Sequence, residues 1–320
     1  MSALVTGGAA ALDAAPAHAY QGSASGRARA DAPNVYVALE SVVLSAEGKG
    51  TAKVRIGNSG YADVTGDVYV YLITPYYVNF DGLPTGYESS YIVHNPAPNI
   101  PEMIRCRIPA SELTARREAA AFSVSVKSVP NGPQFFDFFQ AFAPTTGDTE
   151  LISNEAVATI AQDVPALPTA PDDANLVNLY FTYLQPRLKA GSTSPLRVYV
   201  GNKGPKAPTA DAVFSFVTPF RVKVDRDDLA FKALHPTYHH DVTDTDVPDI
   251  VSFKVPRLSL VPDPKLLVAP GVLPSFRIPL IGYEGGNPNR GGKGMLAVGG
   301  TKDFDPNLAV TISRINVIEP

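Results

Sequence analysis

One stretch of this chain occurs twice, and that repetition limits what the chain can fold into. Val54 to Asp81 carries Gly57-Asn58-Ser59-Gly60 near its start and Thr74-Pro75 near its end. Val198 to Asp225 carries Gly201-Asn202-Lys203-Gly204 and Thr218-Pro219 at the same internal positions. The offset of 144 residues holds from Gly57/Gly201 through Thr74/Thr218 to Asp81/Asp225. It becomes 147 where Ile100-Pro101-Glu102-Met103-Ile104 matches Val247-Pro248-Asp249-Ile250-Val251, a block that runs on to Leu113 and Leu260. Asn154-Glu155-Ala156-Val157 resembles Asn307-Leu308-Ala309-Val310 near the ends. Blocks that recur in the same order, with length changes only between them, describe a tandem duplication with variable loops.

The repeated unit has the period of strands. Ala52 to Ile56 alternates apolar and charged residues and runs into the G-N-S-G segment, whose glycines are expected to supply the positive φ of a turn. Val68, Val70 and Leu72 share one face of the next run and Tyr69, Tyr71 and Ile73 the other, so this strand is expected at the centre of a sheet. From Tyr76 to Pro98 periodicity gives way to Gly, Pro, Asn and Ser, which predicts a long loop. Further strands are expected at about 103–108, 121–128 and 155–161, and a helix only at Ser111 to Ala120. The second copy repeats the plan with strands at 177–184, 196–200, 212–218, 250–255, 275–281 and 308–317. Short strands, little helix and 30 prolines, which suit turns and edge strands, give an all-β fold class. The expected architecture is two tandem homologous β-sandwich domains, Ig-like or jelly-roll-like. Module one spans 34–160 and module two 176–320, joined by a Pro-rich linker at 161–175 (AQDVPALPTAPDDAN from Ala161).

Residues 1–33 are different material. Ala3 to Ala15 is mildly apolar, and Ala17-His18-Ala19 has the A-x-A form of a signal-peptidase site. A basic start is missing and Asp13 interrupts the apolar run. The segment reads as a residual signal peptide followed by a flexible leader, and the mature chain as secreted; an Ala-rich tail is the alternative. The net charge of −4 argues against a nucleic-acid partner, and nothing approaches the roughly 20 apolar residues of a membrane span. A single cysteine excludes an internal disulfide and any CxxC site. Cys106 aligns with Phe253 on the apolar phase of its strand, so it is expected to be a buried thiol acting as a small hydrophobe.

The strand, G-N-x-G segment, strand and closing Thr-Pro, with Pro205 after the second turn, resemble the bacterial extracellular Ig-like repeats of the cell-adhesion-related (CARDB-like) type. The resemblance covers about 30 residues per module and rests on turn residues. It implies spacing, adhesion or ligand display, with a cell-surface polymer or protein as partner, and it brings no catalytic residues.

Three clusters invite chemistry. His235, His239, His240, Asp241, Asp244 and Asp246 lie in a loop where three of five histidines and four carboxylates fall within fifteen residues. Imidazole and carboxylate are zinc ligands, and Asp244 with Asp246 and loop carbonyls suits Ca²⁺, but the spacing matches no H-E-x-x-H or Ca²⁺-loop pattern. A solvated polar loop is the plainer reading. Phe135, Phe136, Phe138, Phe139 and Phe142 place five aromatic rings in eight residues, either as core and inter-module packing or as a partner or self-association surface. Tyr76, Tyr77, Tyr87 and Tyr91 in the long loop form a candidate sugar-stacking surface.

Gly285 to Gly294 fails the P-loop spacing, and Leu83-Pro84-Thr85-Gly86 lacks the form and position of a sortase signal. No nucleophile elbow is present. A non-enzymatic binding or display protein is the favoured reading. A self-assembling extracellular structural subunit and a metal-dependent hydrolase centred on His235–Asp249 are the alternatives.

Overall fold

The computed structural model describes residues 32–94, 96, 100–129, 138–143, 155–162, 177–184, 186–189, 191–240, 244, 245, 247–263, 273–283, 293–300, 309–314 and 316–318. The leader up to residue 31, the linker from residue 163 to 175, and Phe135, Phe136, Asp241 and Asp246 lie outside the described residues.

Module one is built from β1 (Val35–Leu39), β2 (Val42–Leu44), β3 (Lys49–Asn58), β4 (Val68–Ile73), β5 (Val78–Phe80), β6 (Ser89–Val93), β7 (Met103–Ile108), β8 (Arg117–Ser128), β9 (Phe138–Phe142) and β10 (Glu155–Gln162). They form a four-stranded sheet, β1-β3-β8-β5, facing a six-stranded sheet, β2-β10-β9-β4-β7-β6. Module two follows with β11 (Leu179–Leu184), β12 (Arg187–Lys189), β13 (Thr193–Asn202), β14 (Ala212–Val217), β15 (Val222–Val224), a one-turn helix α1 (Leu229–Lys232), β16 (Thr237–Tyr238), β17 (Ile250–Val255), β18 (Ser275–Gly282), β19 (Lys293–Gly300), β20 (Ala309–Arg314) and β21 (Asn316–Ile318). Its sheets are β11-β13-β18-β15, β16-β17-β14-β19-β20 and the parallel pair β12-β21. Each strand pairing of the first module thus recurs in the second, with β20 and β21 together taking the place of β10. The protein is two homologous β-sandwiches in tandem.

Alternation sets the cores. Val54 and Ile56 on β3, Val70 and Leu72 on β4, Cys106 on β7 and Phe122 and Val124 on β8 fill module one; Val198, Phe214, Phe253 and Ile278 occupy the matching places in module two. Val70 pairs with Cys106, and Phe214 with Phe253, so the thiol stands where module two has a ring. Burial pushes its pKa up to about 11, which keeps it protonated.

The repeated Gly-Asn pair is not a positive-φ turn. Gly57-Asn58 and Gly201-Asn202 end their strands, and none of these glycines has a positive φ. A Cβ on Gly57 would meet the Tyr36 hydroxyl at 2.5 Å, and one on Gly201 the Tyr180 ring at 2.6 Å, so glycine is required for space. The buried Asn58 accepts from the Asn34 and Gly60 amides at 3.0 and 2.9 Å and donates to the Ala62 and Leu113 carbonyls at 2.8 and 3.0 Å. All four of its hydrogen-bonding positions are used. Asn202 repeats the bonds with Asn178, Gly204 and Lys206.

Three expectations are corrected. Ser111–Ala120 is no helix: a 3-10 turn covers Ala110–Glu112 and β8 begins at Arg117, because pairing with β3 outweighs local propensity. The loop from Tyr76 to Pro98 holds two edge strands, β5 and β6. The expected strands of module two lack one at Lys293–Gly300, where β19 is paired on both sides.

Candidate functional site

The apolar residues on the second face of β4 are explained by a junction between the modules. Tyr71, Ile73, Tyr76, Val93, Ile100, Met103 and Phe142 of module one pack with Val217, Phe220, Val247, Ile250, Met295 and Ala297 of module two in one buried cluster. The six-stranded sheet of module one and the five-stranded sheet of module two thus meet back to back at one end of each. Phe142 stacks on Tyr71 at 5.1 Å and meets Phe220 at 5.8 Å. The Tyr76 hydroxyl lies 3.3 Å from both the Ser215 and the Met295 carbonyl oxygens.

The junction is pseudo-symmetric. Tyr76 and Phe220 are 144 residues apart at equivalent positions, and each enters the opposite module. Where Phe220 finds the large Tyr71–Phe142 pair, Tyr76 finds the small pair Ser215–Ala297, which leaves its ring room to reach the backbone. The contact has the self-complementary form of a two-fold interface, built within one chain.

The Thr-Pro motif makes this aim possible. Tyr77 and Arg221, the residues after the two junction aromatics, both have positive φ, 60° and 59°. In module two, Val222 N donates to Pro219 O at 3.1 Å and closes a tight turn around Phe220 and Arg221. A non-glycine residue held there costs on the order of 1–3 kcal/mol, and the packed ring ahead of it offsets that cost.

The same turn is clamped by a buried acid. Thr74 Oγ1 accepts from the Glu102 amide at 2.9 Å, and Glu102 Oε2 accepts from the Phe80 amide at 2.6 Å, which ties the two sheets of module one together. Thr218, Asp249 and Val224 repeat this at 2.8 and 2.9 Å. The basic partners differ: His94 Nδ1 stands 3.3 Å from Glu102, whereas Lys223 Nζ stands 2.9 Å from Asp249 and donates to the Val247 carbonyl at 2.7 Å. Each carboxylate is spent on a backbone amide and a basic side chain, an arrangement for holding a fold.

The candidate residues from the sequence disperse. Tyr76 is 2% exposed inside the junction and offers no face to a ligand, which corrects its place in a sugar-stacking surface. Tyr77 packs on the junction cluster. Tyr87 packs on module one's core, donates to Glu112 at 2.8 Å, and has its pKa raised to about 12 by burial and then by that bond. Tyr91 packs on the same core with His94 against its ring at 3.7 Å. The four tyrosines form no common platform.

Phe139 is fully buried in module one's core, edge-on to Phe80, so it is withdrawn from any outer interface. Phe138 lies on β9, and Phe142 packs at the junction.

In the polar loop His235 and Asp244 are exposed, His239 Nε2 bonds Ser252 Oγ at 2.9 Å, and His240 Nε2 donates to the Pro248 carbonyl at 2.8 Å. Burial holds both imidazoles below the ordinary value of 6.5, with repulsion between their protonated forms second for His239 and the Lys223 charge second for His240. Among the described residues no three His, Cys, Asp or Glu side chains are grouped to hold a metal ion. No described helix is long and apolar enough to cross a membrane.

No protein-family model matches the sequence, and a search of curated proteins finds no relative. Among solved structures, the chain is similar to the Yersinia pseudotuberculosis adhesin InvE at 11% identity and a TM-score of 0.21, covering 91% of this chain and 62% of that one. A cohesin from Archaeoglobus fulgidus gives 14% identity, 41% and 92% coverage and a TM-score of 0.26. A type II cohesin dyad from Acetivibrio cellulolyticus gives 9% identity, 88% and 97% coverage and a TM-score of 0.22. The chain therefore spans 62% of the length of the Yersinia adhesin. At these scores the likenesses carry no argument about activity or partner.

Proposed function

We propose that this chain is a non-enzymatic extracellular binding and display protein whose two sandwiches act as one rigid unit. The observation that carries this is the Tyr76–Phe220 junction, in which each module buries an aromatic side chain in the other. A buried apolar contact of this kind removes the relative motion expected of two domains on a string. It holds the remaining outer faces of both modules in a fixed relation, which suits presentation to a partner. The buried acids support the same reading, because both are engaged in fixing the fold. Export of the chain rests on the Ala17-His18-Ala19 pattern. A self-assembling subunit is less favoured, since Phe139 and Phe142 are consumed inside the chain.

The test is the solution mass of the chain from Tyr20 onward, by light scattering after size exclusion over a concentration series. A monomer at every concentration is expected. A defined oligomer or polymer would replace the display reading with the structural one.

A further inference from the structure

The duplication provides an internal comparison for every surface. On the outer face of module one's four-stranded sheet, Glu40 lies beside Lys53, which pairs with Ser123 on β8. Lys53 and Arg55 both form ion pairs with Glu40, at 3.3 and 3.1 Å. This face neutralises itself.

In module two the same three places are held by Leu184, Arg197 and Arg277. Leu184 pairs with Arg197, and Arg197 pairs directly with Arg277. The acid has become an apolar residue left 57% exposed, and the serine has become a second cation. Both arginines are exposed, and neither belongs to an ion pair among the described residues. Like charges directly opposite across a strand pair are unfavourable, and no ion pair among the described residues compensates this one. Beside them on the same face, Tyr199 follows Arg197 by two residues, and Tyr180 lies across Gly201. The modules join through their other sheets, so this face points away from the junction.

We propose that the outer face of module two's four-stranded sheet binds an acidic polysaccharide, with Arg197 and Arg277 pairing its carboxylates and Tyr199 and Tyr180 lying against its sugar rings. Guanidinium forks suit carboxylates bidentately. A sheet face carrying half-buried tyrosines offers an apolar surface to the C–H face of a pyranose, and it favours a sugar chain over an acidic peptide. The inference rests on the binding reading above and gives that reading a surface and a partner class.

The probe is polygalacturonate, with uncharged galactan and polyglutamate as comparisons, in affinity electrophoresis of the full chain. Polygalacturonate is expected to retard the protein more than either comparison. Arg197→Ser and Arg277→Ser should each weaken its binding at least about tenfold, since each removes charge-assisted hydrogen bonds. Tyr199→Ala should weaken it too, and Lys53→Ser in module one should leave it unchanged. Separating the opposed charges should leave Tm unchanged or raise it, so lost binding is not lost folding; Arg277→Lys should retain part of the affinity. No retardation, or equal retardation of wild type and both serine variants, would overturn the proposal. Equal binding of polyglutamate would overturn it in favour of an acidic protein partner. A monomer that ignores polygalacturonate rejects this site alone, whereas an assembled chain rejects the display reading whatever the sugar result.

Discussion

Tyr76 and Phe220 stand at equivalent positions of two homologous sandwiches, and each is buried against the other's module. The duplication therefore produced both the two domains and the self-complementary contact that joins them. Shortening either ring opens a cavity in that contact. Tyr76→Ala and Phe220→Ala should each cost roughly 3–5 kcal/mol of junction stability. In calorimetry a single wild-type transition should separate into two. An unchanged single transition in both variants would mean that the ring contacts do not couple the modules.

The two buried acids should respond unequally to loss of charge. Asp249→Asn leaves Lys223 buried without its counter-ion and should cost roughly 3–5 kcal/mol. Glu102→Gln should cost less, because its partner His94 is half exposed and water can solvate the ring once the carboxylate is gone. Urea denaturation of the two variants measures the order; equal losses would show that the counter-ions do not matter.

Stability should fall in acid through His239 and His240. Their folded-state pKa values are depressed, so below the ordinary 6.5 the unfolded chain takes up protons that the folded chain refuses. Their contribution is complete above that value and is lost as pH drops toward the depressed ones. Wild-type Tm should decline between pH 7.5 and 5, and His240→Gln, which can still bond the Pro248 carbonyl, should decline less. Parallel curves would exclude this source.

Cys106 should be inert in the native state. It is fully buried and its pKa is pushed up to about 11, so thiolate is scarce at neutral pH. Iodoacetamide should label it only in denaturant, and native labelling within minutes would show that β7 opens.

The strand plan was legible in the sequence because alternation and the repeat reinforce each other; Cys106 against Phe253 is an example, placed correctly by alignment alone. Ser111–Ala120 failed because its helix-forming residues are overruled by pairing with β3. Gly57 and Gly201 were visible as special, but the reason was not, since a tyrosine ring lying over a glycine is a contact between strands. The site residues were harder still. Tyr76 looked like a loop tyrosine because nothing local says that a second module covers it. The second apolar face of β4, Tyr71 and Ile73, was the available signal for that cover. Arg197 and Arg277 are 80 residues apart, and only strand register brings them face to face.

Small-angle scattering of the chain from Tyr20 onward, compared with its Tyr76→Ala/Phe220→Ala variant, tests the rigid two-module unit most directly. The wild-type curve should fit the docked pair, and the variant should show a larger radius of gyration. A wild-type curve already matching two independently moving modules, and unchanged in the variant, would contradict the junction and the display function built on it.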